Sequence, residues 1–298
     1  MIGSGGYGVV FKVKNIVDCN TYAIKKTKLT RDNDYALREV RNMCILHHPN
    51  IVRYNNAWID TLICTKDQYK DIYADIFDFE ERSGDTTESA EFSLTVYKKK
   101  QSPEMSDISN IIHVPILCLQ MQYYNNTLEK WLSDRDTVDM DLTKKIFRQI
   151  LCGVKYLHKN KIMHRDLKPS NIFFDKKMCP KIGDFGLSKY YKNEKKIKSE
   201  SNNTNNIGSL TYCSPEQLKS KKYNSKTDIY SLGIIYYELL NNFKTQMERI
   251  EFINKLREQM FDNCFIDENN KLFLLRLLEQ NYNNRPTITK VLKLYDDL

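Results

Sequence analysis

The sequence has no CxxC pair and no cysteine and histidine set at metal-ligand spacing. Its eight cysteines (19, 44, 64, 118, 152, 179, 213 and 264) lie far apart, mostly within apolar runs. Zinc is therefore not expected, and reduced, mostly buried thiols are the default. The chain also has no long apolar run. The longest, residues 232–240, carries Glu238 and falls far short of a bilayer span. The N-terminal MIGSGGYG lacks the apolar core of a secretory signal. A soluble, cytoplasmic protein with no membrane partner is the expectation. The net charge of +8 suits an acidic or phosphate-bearing partner, but lysines scattered along the whole chain make a solvated surface the plainer source. No nucleic-acid-binding motif accompanies the charge, so direct nucleic-acid contact is not expected. No internal repeat divides the 298 residues, which suffice for one large two-lobed domain or two small ones.

What the chain does have is concentrated in residues 162–187, IMHRDLKPSNIFFDKKMCPKIGDFGL. Two polar clusters, at 164–171 and 184–186, are joined by apolar runs and turn residues that read as a β-hairpin. Asp166 precedes Asn171 by five residues, and Asp184 follows inside a strand–turn segment. Phosphoryl transfer to a hydroxyl needs that set: a base near the nucleophile and two oxygen ligands for magnesium. HRDLKPSN followed by DFG, in this order and context, resembles the catalytic core of a eukaryotic protein kinase.

The flanking sequence extends the resemblance. Residues 2–10, IGSGGYGVV, place glycines at 3, 5 and 8 with Val10 beyond them. Glycines let a hairpin backbone approach phosphates closely. Such a run also suits a dinucleotide turn, but that site needs a helix immediately afterwards. Here VVFKVK and then TYAIKK read as two strands, the context of a kinase Gly-rich loop, with Lys25 in the place of its phosphate-binding lysine. Only Met1 and Ile2 precede the glycines, so the first strand reads as clipped. Residues 34–46 have helical periodicity and carry Glu39. Alone, Glu39 is a solvated helix residue; with Lys25 upstream it occupies the place of the glutamate that pairs with that lysine. Residues 51–60 and 114–122 read as strands. Between them, 61–112 is acidic, then polar, then basic, and reads as a mobile surface insert. Residues 142–160 form an amphipathic helix, with His158 an ordinary helix-end residue, and His47 and His48 read as structural. Residues 189–206 hold too little apolar content to pack, and 228–240 is apolar nearly all round, as in a buried central helix.

The kinase resemblance implies an α+β, two-lobed fold over residues 1–298. The N-lobe takes 1–122, including the 61–112 insert, and the helical C-lobe takes 123–298. It implies ATP and Mg2+ as cofactors and a protein as substrate. Asp166 is the implied catalytic base and Lys168 its partner at the γ-phosphate, the latter marking the serine/threonine type. Asn171 and Asp184 are the implied magnesium ligands. The implied ATP-binding set is Ile2, Gly3, Ser4, Gly5, Gly6, Tyr7, Gly8, Val9, Val10, Ala23, Lys25, Glu39, Met121, Gln122 and Tyr124, with Met121 as gatekeeper and 122–124 as the hinge. Asp228 braces the catalytic loop, and Glu216 pairs with Arg285. Arg165 meets an activation-loop phosphate. Thr204 is the first candidate for that modification, with Ser201, Ser199 and Ser209 behind it; as plain loop hydroxyls they need no such role.

Finer marks are HPNIVRYNNAWID at 48–60, the long insert, LCLQMQ at 117–122, and FKTQMER at 243–249. Together they resemble the kinases of the alpha subunit of eukaryotic translation initiation factor 2, which attenuate protein synthesis under stress. Thr204 and Ser209 keep the spacing of that family's activation-loop threonines, and Thr245 matches the threonine near which it docks substrate. A homodimer is implied as well, although it also uses residues ahead of the Gly-rich loop. The regulatory domains of that family have no counterpart in these residues. Another serine/threonine kinase with a coincidental insert, or a pseudokinase scaffold, are the alternatives; the presence of Lys25, Asp166, Asn171 and Asp184 argues against the scaffold.

Overall fold

A computed structural model describes residues 1–5, 8–29, 34–65, 111–190, 210–219, 224–261 and 266–298. They fall into two compact units, Met1–Cys44 with Arg53–Tyr123, and Ile45–Val52 with Tyr124–Leu298.

The first unit is a five-stranded antiparallel sheet with one helix. Its strands are β1 (Gly3–Gly5), β2 (Gly8–Lys14), β3 (Thr21–Lys28), β4 (Tyr54–Thr65) and β5 (Ile111–Gln122), in the order β1-β2-β3-β5-β4. The helix is α1 (Asp34–Cys44). Asn15 and Asp18 close the β2–β3 turn by accepting backbone N–H groups of Val17 and Asn20 at 2.8 Å each, an arrangement short polar side chains favour. The β4–β5 ladder runs further than the sequence pattern indicates. It continues from Asp60↔Ile116 to Thr65↔Ile111, so strand takes both ends of the expected insert. Once the register is set, each added pair satisfies two more backbone groups, whatever the side-chain pattern. Residues 66–110 lie outside the described residues.

The second unit is mostly helical. In chain order it contains β6 (Asn126–Thr127), α2 (Leu128–Asp134), α3 (Met140–Lys159), β7 (Ile162–Met163), a 3-10 turn at Pro169–Asn171, β8 (Ile172–Phe174), β9 (Pro180–Ile182), β10 (Lys189–Tyr190), α4 (Pro215–Lys219), α5 (Lys226–Leu240), α6 (Gln246–Arg257), α7 (Glu268–Leu277) and α8 (Ile288–Asp296). Thr127, Asp139, Thr245, Asp267 and Thr287 cap α2, α3, α6, α7 and α8 by accepting the N–H three residues on. Helix α5 is buried from Thr227 to Leu239, which its near-continuous apolar sequence requires. Gly233 lets the chain after α7 close on it, since a Cβ there would lie 2.9 Å from the Leu278 side chain. Phe147, Tyr236, Phe273 and Tyr295 form an aromatic cluster that joins α3, α5, α7 and α8. Lys189 and Tyr190, which open the stretch expected not to pack, pair with β7 through their backbones. Residues 45–52 belong to this unit because Val52 N–H donates to Ile182 O and Ile182 N–H to Asn50 O, both at 2.9 Å. The α+β class is observed. No helix among the described residues is long and apolar enough to cross a membrane.

Candidate active site

The loop between β7 and the 3-10 turn carries Asp166, and it hangs from a buried carboxylate on α5. Asp228, 1% exposed, accepts the His164 N–H at 3.0 Å and the Arg165 N–H at 2.9 Å. Its Oδ2 also lies 2.7 Å from Nε2 of His158, at the end of α3. His158 is therefore no ordinary helix-end residue, as its sequence position indicates; it is buried and ties α3 to α5. Burial works against ionisation of Asp228, but the His158 hydrogen bond and the nearby histidine charges, with the Arg165 N–H, outweigh it and hold the carboxyl below its ordinary value.

His164 joins the two polar clusters. Its Nε2 lies 2.9 Å from Gly183 O, which makes that nitrogen the protonated one. Nδ1 is then the acceptor, and the Asp166 N–H donates to it at 3.3 Å. One imidazole thus fixes Asp166 relative to the residue before Asp184. Its ring also tilts against Phe185, which is fully buried. Arg165 and Asp184 both have positive φ, 69° and 60°, a conformation that costs about 1–3 kcal/mol for a residue with a Cβ and concentrates at functional sites.

Asp166, Lys168 and Asn171 meet in this loop. Lys168 Nζ lies 3.1 Å from Asp166 Oδ2. Asn171 Nδ2 donates to the same oxygen at 3.0 Å and to Asp166 O at 2.9 Å. With its nitrogen so committed, Oδ1 is the atom of Asn171 left to serve a cation. The Asp184 carboxylate stands beyond β9 and accepts weakly from the Gly186 N–H at 3.5 Å. One amide oxygen and one carboxylate are hard donors that suit a magnesium ion sharing its shell with water and phosphate. Among the described residues, no cluster of three or more His, Cys, Asp or Glu is placed to hold a metal.

Helix α4 is anchored by a second buried charge pair. Arg285 donates twice to the Glu216 carboxylate, at 2.7 and 2.8 Å, and its guanidinium lies 4.9 Å from the Tyr230 ring centroid. The Cys213 thiol is pushed up to about 11 by burial and by the charge of Asp166. Thr245, exposed, is the N-cap of α6 and accepts the Glu248 N–H at 3.1 Å. The Thr-x-x-Glu spacing is the sequence signal for that cap.

In the first unit the register puts Val10, Ala23 and Lys25 on one sheet face and Val9 on the other. Val10 pairs with Lys25, Lys25 with Leu119, and Ala23 with Met121. Ala23 and Lys25 are two apart and are 9% and 7% exposed. Gly8 lies opposite Gly5 and has φ 130°; a Cβ there would run into the Lys26 carbonyl. Ile2 donates its N–H to Val10 O, which continues the hairpin beyond Gly3. Ser4 lies in β1 and Val9, almost fully buried, in β2. Gln122 gives its N–H to Arg53 O at 3.0 Å, which takes that donor of the hinge. Tyr124 belongs to the second unit, its ring stacked on Phe173. Glu39 lies in α1. Gly6, Tyr7, Ser199, Ser201, Thr204 and Ser209 lie outside the described residues.

Residues 1–295 match the protein kinase domain family. The chain belongs to that family. Among the relatives of this kinase, the interferon-induced, double-stranded RNA-activated protein kinase of Mus musculus is 35% identical over 297 residues, 98% of this chain and 49% of that protein. The eIF-2-alpha kinase GCN2 of Schizosaccharomyces pombe is 33% identical over 316 residues, 86% of this chain and 20% of the relative. Eukaryotic translation initiation factor 2-alpha kinase 1 of Rattus norvegicus is 28% identical over 412 residues, 98% of this chain and 66% of the relative. The chain thus spans about half the length of the first of these relatives.

His158 and Gln217 are supporting residues that the sequence motifs do not single out, and His164 opens HRDLKPSN without its supporting role being marked. Gln217 donates to the Arg165 carbonyl at 3.0 Å. Their partners lie 70, 19 and 52 residues away, so no local pattern announces them.

Proposed function

We propose that this chain is a serine/threonine protein kinase that transfers the γ-phosphate of ATP to a hydroxyl of the alpha subunit of translation initiation factor 2, acting in the cytoplasm to attenuate translation. The observation that carries the chemistry is the Asp166–Lys168–Asn171 cluster on the Asp228 bed. Asp166 orients the acceptor hydroxyl and receives its proton. Lys168 brings a positive charge beside that carboxylate, where phosphoryl charge develops in transfer. Asn171, through Oδ1, and Asp184 would hold magnesium, which neutralises phosphate charge when bound. Lys25 contacts the α- and β-phosphates, while Gly8 and Val10 on the same sheet face border the nucleotide. The substrate assignment is supported by the names of the relatives and by the FKTQMER segment that leads into α6.

The test is direct. The purified chain is incubated with ATP, magnesium and the intact alpha subunit, beside a generic basic protein and an Asp166→Asn control. Transfer to the alpha subunit by the unmodified chain and its loss in Asp166→Asn is the expected result. Transfer to the basic protein alone would refute the substrate. No transfer at all, including to the chain itself, would establish a scaffold instead.

A further inference from the structure

Gln217 stands third in α4, and both ends of its side-chain amide are engaged. Its Oε1 accepts the N–H and the hydroxyl of Ser214, both at 3.0 Å, and Ser214 is fully buried. Ser-x-x-Gln at a helix start is capping-box spacing, so protection of the first turn of α4 accounts for this oxygen. It does not account for the nitrogen. Nε2 leaves the helix and donates to the Arg165 carbonyl at 3.0 Å, 52 residues back in the chain. The two ends meet partners of opposite kind, so the orientation of the amide is fixed: turned over, it would set oxygen against carbonyl and NH2 against N–H.

The Arg165 carbonyl belongs to the peptide group that leads into Asp166. The N–H of the same planar group donates to His164 Nδ1 at 3.3 Å. That group is thus held at both edges, and the Gln217 bond is the shorter of the two. Arg165 has φ 69°, a conformation a residue with a Cβ adopts only when its surroundings impose it. Its own N–H goes to Asp228 Oδ1 at 2.9 Å and its Nε to Leu187 O. Asp228 and His164 therefore take the N–H groups of this turn, while Gln217 takes the carbonyl. Without that donor the peptide group is free to rock, and the Asp166 side chain starts from it. Rates are steep in such placement: a shift of about 1 Å can cost on the order of a hundredfold.

We propose that Gln217 is a positioning residue for phosphoryl transfer, whose amide sets the peptide plane ahead of Asp166 and ties the placement of that carboxylate to the chain at Ser214. This rests on the reading of Asp166 as the catalytic base, and on no particular protein substrate. Capping and positioning separate at one substitution. Gln217→Glu keeps an acceptor for both Ser214 bonds and adds an acid to the first turn of α4, where it is favoured. Ionised, it has no hydrogen for the Arg165 carbonyl. Gln217→Met keeps the length and loses both ends.

The full chain and its Gln217→Glu, Gln217→Met, Ser214→Ala and Asp166→Asn variants are compared by the single-turnover rate of transfer from ATP, together with KM for ATP and Tm. The acceptor is the alpha subunit, a generic basic protein or the chain itself, whichever the parent phosphorylates. Gln217→Glu is expected to transfer about tenfold more slowly, the scale of one neutral hydrogen bond, with KM for ATP changed less than about twofold and Tm unchanged. Gln217→Met falls as far in rate and also loses Tm. Ser214→Ala keeps the N–H bond but loosens the amide, and falls about threefold. Gln217→Glu at the parent's rate, with Gln217→Met slowed, marks a helix cap only and overturns the proposal. A loss carried by KM for ATP overturns it as well. If Gln217→Glu does not fold, Ser214→Ala decides, and a rate equal to the parent's refutes the proposal. Asp166→Asn at the parent's rate, or a parent that transfers to nothing, removes the reading of Asp166 and the proposal with it. Both of those results appear with Gln217 intact, so the two failures are distinguishable.

Discussion

The loop carrying Asp166 and the sheet carrying Lys25 are held by different kinds of bond. The loop has almost no backbone ladder of its own: β7 is two residues long, and the loop's N–H groups go to Asp228 and His164 side chains. Lys25, by contrast, sits mid-strand with paired strands on both sides, and its position follows from register. A ladder shares its stability over many equivalent bonds, whereas a buried polar bed concentrates it in a few side chains whose loss leaves others unpaired. The second unit should therefore respond to removal of single charges, and the first to changes of backbone conformation.

The largest effect is expected at Glu216. Arg285 is completely buried and Glu216 nearly so, with two charge-assisted bonds between them. Glu216→Ala leaves the guanidinium uncompensated, a change that typically costs about 3–5 kcal/mol. Urea unfolding should show a drop in unfolding free energy of that order, with activity lost at temperatures where the parent still works. A drop below about 1 kcal/mol would show that the pair is replaceable by water and that the bed is less concentrated than described.

Acid comes next, and it acts on the polar bed beneath the Asp166 loop. Asp228 has its carboxyl held below the ordinary value of 3.8. A depressed carboxyl adds stability that is complete above its unfolded value and is lost as pH falls through the lower folded one. Below about pH 3.8 the parent should therefore lose stability more steeply with falling pH than Asp228→Asn, which is weaker throughout. Urea midpoints measured across that range decide it. Parallel curves would remove Asp228 from the acid response.

The same contrast explains what was legible in the sequence. Asp166, Lys168, Asn171 and Asp184 lie within nineteen residues, so their order and spacing show directly. Lys25 and its sheet follow from alternation and from the Gly-rich turn. The supports of the loop do not: His158 meets Asp228 from 70 residues away, and nothing in YLHKN distinguishes a buried ligand of a carboxylate from a helix end. Arg249 and Arg257 carry no motif of their own in the sequence, although from α6 they reach the Tyr212 hydroxyl and the Cys213 carbonyl. The ends of β4 and β5 were hidden for another reason, since backbone pairing there outruns the side-chain pattern.

A backbone change is the sharper test of the first unit. Gly8 has φ 130°, and a Cβ there would meet the Lys26 carbonyl and lie 2.8 Å from Thr27 Oγ1. Gly8→Ala is expected to cost about 1–3 kcal/mol of local strain and to raise KM for ATP more than it lowers kcat. If the strain falls instead on the Asp166 loop, kcat alone would change, and the separation between the two regions would fail.

The smallest effect serves as the control for charge removal. Arg148 Nε lies 2.8 Å from Asp296 Oδ1, linking α3 to α8, as short a contact as the Arg285 pair makes. Both side chains are well exposed, 56% and 42%, so water competes for each and salt screens their attraction. Arg148→Ala should leave Tm and kcat indistinguishable from the parent, at low salt and at high. A loss of stability at low salt comparable to that of Glu216→Ala would mean that distance, and not burial, decides which ion pairs hold the second unit together.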